Sequence, residues 1–195
     1  MDTNYTVAIP DTKQLYTSKN TSHLVNRLPK LHRQIDFKAI EAKYGRKGVV
    51  IDYGCGRETS HIARYINSKG WSYLCYDPYW TDQSYSLDVI KAMAYGSRGR
   101  NEPVVVLCSN VLNVIDSLRI IADIKQFCYD LATDSLFFQS IYEGDKSNVG
   151  RMTKKDCWQR NEIVEKYLYS CNERFKYNIV SHYANVIYIK PAEKA

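Results

Sequence analysis

The chain has 195 residues, of which 45% are hydrophobic and 25% are charged, and its formal net charge is +6. This length predicts one compact domain over residues 1–195, and the composition is that of a soluble globular protein. No run approaches the roughly 20 apolar residues of a membrane span, and the first residues lack the pattern of a secretory signal. We therefore expect a cytoplasmic protein that makes no membrane contact.

The six cysteines form no CxxC pair, and no histidine lies at metal-finger spacing from them. Cys75 and Cys108 fall inside apolar runs, where a free thiol packs as a small hydrophobic side chain. We expect reduced, structural cysteines and no metal site.

The N-terminal quarter is basic, because residues 1–48 hold nine Lys and Arg against four Asp and Glu. Such a segment can face nucleic acid or a nucleotide, or it can be a solvated lysine-rich surface, and both interpretations stay open. Residues 1–31 show no period and are predicted to form an arm. Apolar spacing over 31–44 predicts a helix that ends at Gly45.

From residue 48 onward, apolar runs alternate with segments of helical period. Strands are predicted over 48–56, 71–78, 103–110, 135–144 and, as a terminal hairpin, twice within 176–191; helices are predicted over 58–70, 85–95, 120–131 and 156–171, with a glycine-rich break after residue 95. This alternation is typical of parallel βαβ units. We expect an α/β protein, a Rossmann-like three-layer sandwich with a mostly parallel seven-stranded sheet and an antiparallel edge strand.

The segment IDYGCGRETS (51–60) carries the main chemical signal. Glycines at 54 and 56 permit a tight turn between a strand and a helix and a close approach of the backbone to a ligand. Asp52 can accept a hydrogen bond from a ligand ammonium group or order the loop. The other interpretation is that the two glycines serve only the turn.

Asp77 ends the next strand, about 20 residues after the glycine turn, where a carboxylate can accept both ribose hydroxyls of an adenosine. Pro78 and Tyr79 would then border the adenine. The turn lacks the third glycine of a dinucleotide fingerprint, and it has the size for an amino-acid moiety. Together these features favour S-adenosylmethionine over NAD.

Later candidates are assigned from their positions along the predicted sheet. Asn110 follows the third strand and can bond cofactor or substrate, or act as a turn residue. Tyr142 and Glu143 end the next strand, where they can shape an acceptor pocket, with Glu143 or Asp145 as a general base. The alternative is a loop carboxylate in water. Trp158 and Gln159 can stack on and read an acceptor ring, or they can belong to the core. None of the four histidines (His23, His32, His61 and His182) is assigned to catalysis.

The motifs VVIDYGCG, YDPY (76–79) and VVVLCSNVLNVI resemble those of class I S-adenosylmethionine-dependent methyltransferases. More narrowly, the order DYGCGR (52–57), YDPY, SNVLNVI (109–115) and a late DCWQRNE (156–162) is similar to that of methyltransferases found beside DNA phosphorothioation genes and of related phage proteins. The resemblance spans most of the chain and implies S-adenosyl-L-methionine as cofactor. It also implies that KNTSH (19–23) covers the cofactor, with contacts from Asp52, Tyr53, Gly54, Cys55, Gly56, Asp77, Pro78, Tyr79, Asn110, Val111, Leu112, Lys19 and Thr21.

Two departures from this pattern limit the acceptor. The segment after the third strand reads SNVL rather than D/N-P-P-Y/F, which disfavours amino-methylation of DNA bases, and no Pro-Cys nucleophile follows a strand. We expect a methyltransferase acting on a nucleic-acid-related or small-molecule acceptor. The alternatives are a non-catalytic S-adenosylmethionine-binding regulatory module and an enzyme that degrades S-adenosylmethionine.

Overall fold

The computed structural model describes residues 28–80, 82, 84–154, 157–168, 177–183 and 186–191. The α-helices in these ranges are α1 (Lys30–Arg33), α2 (Phe37–Tyr44), α3 (Ser60–Ser68), α4 (Leu87–Gly99), α5 (Leu118–Leu131) and α6 (Glu165–Leu168), and a 3-10 helix spans Leu112–Val114. The strands are β1 (Val49–Tyr53), β2 (Ser72–Tyr76), β3 (Val104–Ser109), β4 (Phe137–Tyr142), β5 (Arg151–Lys154), β6 (Cys157–Gln159), β7 (Tyr177–Tyr183) and β8 (Val186–Pro191).

The main sheet has the strand order β2-β1-β3-β4-β8-β7. Strands β1 to β4 pair in parallel, whereas β8 is antiparallel to both of its neighbours, β4 and β7. The terminal hairpin forms one edge of the sheet, with the antiparallel strand just inside the outermost one. The α/β class and the mostly parallel sheet are thereby confirmed.

The prediction of seven strands in the main sheet is wrong, because the described residues place six there. The connection from β2 to β3 contains a single helix, α4, and no additional strand in the described residues. Its first part, after Tyr76, contains Pro78 and is largely polar, so it lacks the apolar run that a buried strand needs. Among the described strands, β5 and β6 pair with each other in a separate two-stranded sheet.

Helices cover both faces of the main sheet and produce two cores. In β1, Ile51 packs into one core with α4 and α5, whereas Val50 packs into the other with α1, α2 and α3. Both side chains are 0% exposed. Because consecutive strand residues point to opposite faces, a strand buried on both sides must be apolar throughout, as β1 and β3 largely are.

The helix predicted over 31–44 is interrupted. Helix α1 ends after Arg33, and α2 begins at Phe37, because the Asp36 carboxylate caps it by accepting a hydrogen bond from the Ala39 amide at 3.0 Å. An aspartate in this position satisfies a free amide at the start of a helix and favours a new helix over continuation of the previous one.

Two other predicted helix boundaries are wrong. Helix α4 continues through the glycine-rich segment to Gly99, with the buried Ser97 facing the core. The late helix predicted over 156–171 is reduced, within the described residues, to α6, since Cys157–Gln159 is a strand. No helix in the described part of the chain is both long and apolar enough to span a membrane.

Candidate functional site

A cavity of about 1030 Å³ opens at the carboxyl edge of the parallel strands. Tyr53, Ser109 and Tyr142, which end β1, β3 and β4, all line it, as does Asp77, which follows β2. The chain runs from β1 to β2 on one side and then places β3 on the other side of β1. Ligand sites of open α/β sheets lie at such a reversal of strand order.

The glycine turn after β1 is fixed by the end of β2. The amides of Gly54 and Cys55 both donate to the Tyr76 carbonyl, at 2.7 and 3.1 Å. Gly54 and Gly56 have positive φ angles of 77° and 73°. Only glycine adopts this conformation without a steric penalty, so the two glycines determine the course of the turn.

Gly54 also meets the loop that follows β3. A Cβ atom added at Gly54 would lie 2.3 Å from Cγ2 of Val111, which is closer than two carbon atoms that are not bonded to each other can approach. Val111 lines the cavity beside this contact. The absence of a side chain at position 54 therefore lets the two loops close on each other.

Asp77 holds the same turn from the other side. Its Oδ2 accepts a hydrogen bond from the Gly56 amide at 3.0 Å, and its Oδ1 accepts one from the Tyr79 amide at 2.9 Å. Burial raises the pKa of this carboxyl above the ordinary aspartate value, and the bonds from Tyr79 and Gly56 oppose that shift. The backbone amide of Trp80 also interacts with this carboxylate, which has about four lone-pair sites and can still accept a hydrogen bond from a ligand.

Asp52, in β1 just before the turn, lines the cavity and is 1% exposed. Its Oδ2 is bonded to Nε2 of His32 at 2.8 Å and accepts a hydrogen bond from the Tyr73 hydroxyl at 3.0 Å. His32 comes from α1, 20 residues earlier in the chain, and it lines the cavity. Sequence reasoning left this histidine unassigned, because no local pattern links it to Asp52.

The residues predicted to border an adenine surround one part of the cavity. Pro78 and Tyr79 line the wall beside Asp77, together with Trp80. The guanidinium of Arg57 lies 5.3 Å from the ring centroid of Trp80. An aromatic surface next to the predicted ribose carboxylate suits a planar base.

Three other predicted cofactor residues differ in their surroundings. The Tyr53 ring is buried against Tyr76, with ring centroids 5.1 Å apart, so it contributes mainly to the core. Leu112 is 0% exposed and belongs to the core rather than to the cavity wall. Cys55 is half-buried in the wall, and its hydrogen bond with Cys75, together with burial, raises the pKa of its thiol.

Asn110 stands at the mouth of the cavity, directly after β3. It has a positive φ of 56°, a conformation that asparagine tolerates better than most residues. The backbone N–H of Asn110 donates to the Ser140 carbonyl at 2.9 Å, and the side-chain Oδ1 accepts a hydrogen bond from the Ser140 hydroxyl at 3.2 Å. The side chain is thus oriented by β4 and exposed toward solvent.

Tyr142 and Glu143, although adjacent, occupy different environments. Tyr142 is 40% exposed and lines the cavity, whereas Glu143 is 3% exposed and does not. Glu143 accepts a hydrogen bond from the Val164 amide at 2.9 Å and pairs with Lys146 at 2.7 Å. These contacts join the end of β4 to the segment before α6, and for Glu143 the alternative of a solvated loop carboxylate is therefore wrong.

Gln159 braces the loop after β3. Its Oε1 accepts a hydrogen bond from Nδ2 of Asn113 at 3.2 Å, and its Nε2 donates to the Tyr142 carbonyl at 3.0 Å. The next residue, Arg160, donates to the carbonyls of Ile115 and Asp116 at 3.3 and 2.8 Å. The polar groups of both side chains are therefore engaged within the protein.

Trp158 is half-buried and lines the cavity from the β5–β6 hairpin. It packs on Gly150, where an added Cβ would lie 2.2 Å from Cζ2 of the indole. Arg151 and Thr153, on β5, line the same wall, and Arg151 pairs with Asp145 at 2.5 Å. The hairpin thus forms the side of the cavity that faces the ends of β3 and β4.

Lys19 and Thr21, and most of the predicted basic arm, lie outside the described residues. Within the described ranges, no group of three or more His, Cys, Asp or Glu side chains is placed to hold a metal ion.

No protein-family model and no curated protein matches the chain. Among solved structures, it is similar to the 1,6-didemethyltoxoflavin-N1-methyltransferase of Burkholderia thailandensis, crystallised with 1,6-didemethyltoxoflavin and S-adenosylhomocysteine. The identity is 15%, the match covers 82% of this chain and 76% of that chain, and the TM-score is 0.41. At this distance the likeness carries no functional argument, which must come from the site itself.

Proposed function

We propose that this protein is an S-adenosylmethionine-dependent methyltransferase whose cofactor lies in the cavity at the carboxyl edge of the sheet. One observation carries the proposal: the Gly54–Gly56 turn and the Asp77 carboxylate meet in one place, joined by the 3.0 Å hydrogen bond from Gly56. The turn offers backbone without side chains to an amino-acid moiety, and the carboxylate offers acceptors to a ribose.

The cavity fits this ligand in size and in the order of its walls. Its volume of about 1030 Å³ lies at the upper end of the range for small-molecule sites, which leaves space for an acceptor beside the cofactor. We assign the walls along the carboxyl edge in this order: the glycine turn to the amino-acid end of S-adenosylmethionine, Asp77 to its ribose, and Tyr79 with Trp80 to its adenine.

The chain's own residues have distinct tasks in this proposal. Bound S-adenosylmethionine supplies an electrophilic methyl group. Asn110 and Tyr142 border the space beside the glycine turn, and we assign them to orienting the acceptor, while Trp158 offers a ring on which a planar acceptor can stack. Orientation alone supplies much of the rate enhancement when the acceptor is a good nucleophile.

We extend the proposal to the narrower resemblance to phosphorothioation-associated methyltransferases. Its four motifs, which fall at 52–57, 76–79, 109–115 and 156–162, come from separate parts of the chain. Residues of each motif line the same cavity or brace its wall. The proposed acceptor is nucleic-acid-related or a small molecule.

The proposal is tested by calorimetric titration with S-adenosylhomocysteine, followed by incubation with methyl-labelled S-adenosylmethionine and candidate acceptors. Labelled acceptor supports a methyltransferase. Binding with an unchanged cofactor indicates a non-catalytic module, and cofactor breakdown without an acceptor indicates a degrading enzyme. For a nucleic-acid acceptor, binding that weakens steeply with salt is expected. Absence of binding to S-adenosylhomocysteine would contradict the whole proposal.

A further inference from the structure

We infer that His32, rather than Asp52, receives the α-ammonium group of S-adenosylmethionine, and that Asp52 and Tyr73 position the imidazole for this contact. The inference rests on the proposed function, since it deepens the assignment of the same cavity. It concerns a buried histidine from α1 that no motif identifies.

The hydrogen bonds around Asp52 determine which imidazole nitrogen carries a proton. Nε2 of His32 lies 2.8 Å from Oδ2 of Asp52, and the Tyr73 hydroxyl donates to the same oxygen at 3.0 Å. A carboxylate offers only acceptors, so the nitrogen that faces it must be the N–H donor. In the neutral imidazole, the other nitrogen, Nδ1, is then an acceptor.

Nδ1 of His32 has no hydrogen-bond partner within the described residues, although the side chain is 1% exposed. A buried acceptor without a donor carries a free-energy penalty, which a ligand that brings a donor removes. The ring lines the cavity, so a ligand in the cavity is the candidate donor.

The position of the ring identifies which part of the ligand meets it. Asp52 precedes Gly54 by two residues and is bonded to His32, so His32 lies near the turn assigned to the amino-acid moiety. Helix α1 also brings Lys30 and Arg33 to the cavity wall, where cations suit the carboxylate at the same end of the ligand. The ammonium group is the strong donor at that end.

This arrangement makes Asp52 a positioning residue. With its Oδ2 already bonded to two side chains, it holds the imidazole in one orientation and keeps the proton on Nε2. Such a carboxylate–imidazole pair strengthens the imidazole as an acceptor, as it does for histidines that bind metals.

The inference is tested by calorimetry with two ligands, S-adenosylhomocysteine and the analogue that lacks its α-amino group. The variant His32→Gln keeps an N–H for Asp52 near the Nε2 position and removes the acceptor at Nδ1. We expect it to weaken S-adenosylhomocysteine binding by about 10- to 100-fold, the usual effect of losing a hydrogen bond to a charged group. Binding of the analogue should change little.

Asp88→Ala is the control, because Asp88 is exposed in the first turn of α4 and does not line the cavity. It should retain the wild-type preference for S-adenosylhomocysteine over the analogue. If His32→Gln keeps that preference in full, the inference is overturned while the proposed function survives. If the wild-type protein binds neither ligand, the proposed function itself fails.

Nitrogen NMR of wild-type protein labelled at its four histidines provides a second readout that needs no variant. S-adenosylhomocysteine should shift the Nδ1 resonance of His32 in the direction of a stronger hydrogen bond, and the analogue should not. An unchanged Nδ1 resonance at saturating S-adenosylhomocysteine would overturn the inference even if His32→Gln does not fold.

Discussion

The carboxylate of Asp77 accepts a hydrogen bond from the Gly56 amide at 3.0 Å, so the end of β2 holds the glycine turn that follows β1. The same side chain is assigned to the ribose of the cofactor. The conformation of the glycine turn and the binding of the cofactor are therefore expected to depend on one carboxylate. A substitution of Asp77 should affect both.

Asp77→Ala should weaken the binding of S-adenosylhomocysteine by roughly 1–3 kcal/mol, because it removes a charged hydrogen-bond acceptor from the ribose. Calorimetric titration measures this loss. Asp88→Ala, an exposed aspartate in the first turn of α4, is the control and should leave affinity unchanged. Equal affinities of wild type and Asp77→Ala would mean that the ribose lies elsewhere.

As the pH is lowered, the affinity for S-adenosylhomocysteine should begin to fall at a higher pH than it would if Asp77 had the ordinary pKa of an aspartate. Burial raises the pKa of Asp77, so as the pH falls this carboxylate gains its proton earlier than a solvated one and loses acceptor capacity for ribose hydroxyls. Titrations of S-adenosylhomocysteine across the acidic range measure the effect. Asp77→Asn cannot titrate, so the part of the pH dependence that it retains belongs to the ligand and to other groups. Identical profiles for the two proteins would contradict the prediction.

Gly54→Ala should destabilise the fold more than Gly45→Ala does. Both glycines have φ near 70°, at 77° and 71°, and both substitutions incur the backbone penalty of about 1–2 kcal/mol for a left-handed residue. Only at Gly54 would the new Cβ meet a neighbour, Val111, whereas nothing lies within 4 Å at Gly45. Urea unfolding of both variants isolates the steric part.

Adding Val111→Ala to Gly54→Ala should recover part of the lost stability, since it removes the methyl group that the new Cβ meets. No recovery in the double variant would show that the clash is relieved by movement of the loop instead. The comparison measures a coupling between neighbours and needs both single variants.

Gln159→Ala should lower the free energy of unfolding by about 1–3 kcal/mol, because it removes the hydrogen bonds to the buried side-chain amide of Asn113 and to the Tyr142 carbonyl. Gln126→Ala, at a half-buried site on α5, is the matched control: it removes one hydrogen bond, from Nε2 to the Asp130 carboxylate within the same helix, and should cost only about 0.5 kcal/mol. If thermal unfolding shows no difference between the Gln159→Ala and Gln126→Ala variants, Gln159 does not stabilise the loop after β3. The prediction that its side chain contacts the methyl acceptor would then regain support.

The strongest elements could be predicted from sequence because their patterns are long and local. Strand β3 is a continuous apolar run, and α5 repeats apolar residues at helical spacing, so burial and periodicity agree. The glycine turn and Asp77 followed from their positions relative to predicted strands. These features depend on neighbours in the chain, which the sequence displays directly.

The errors arose where distant residues decide the structure. The pairing of His32 with Asp52 joins two elements through tertiary packing, and no spacing rule indicates it. The polar segment around Gln159 and Arg160 satisfies the carbonyls and amides of two loops, so it forms a strand and a brace instead of the predicted helix. Helix propensity is a weak prior where such buried hydrogen bonds compete.

The most direct test of the account is a crystal structure of the protein grown with S-adenosylhomocysteine. The account predicts the two ribose hydroxyls within hydrogen-bond distance of the Asp77 carboxylate, with the amino-acid moiety over Gly54 and Gly56. A ligand bound with its ribose away from Asp77, or protein crystals that contain no ligand at saturating concentration, would contradict it.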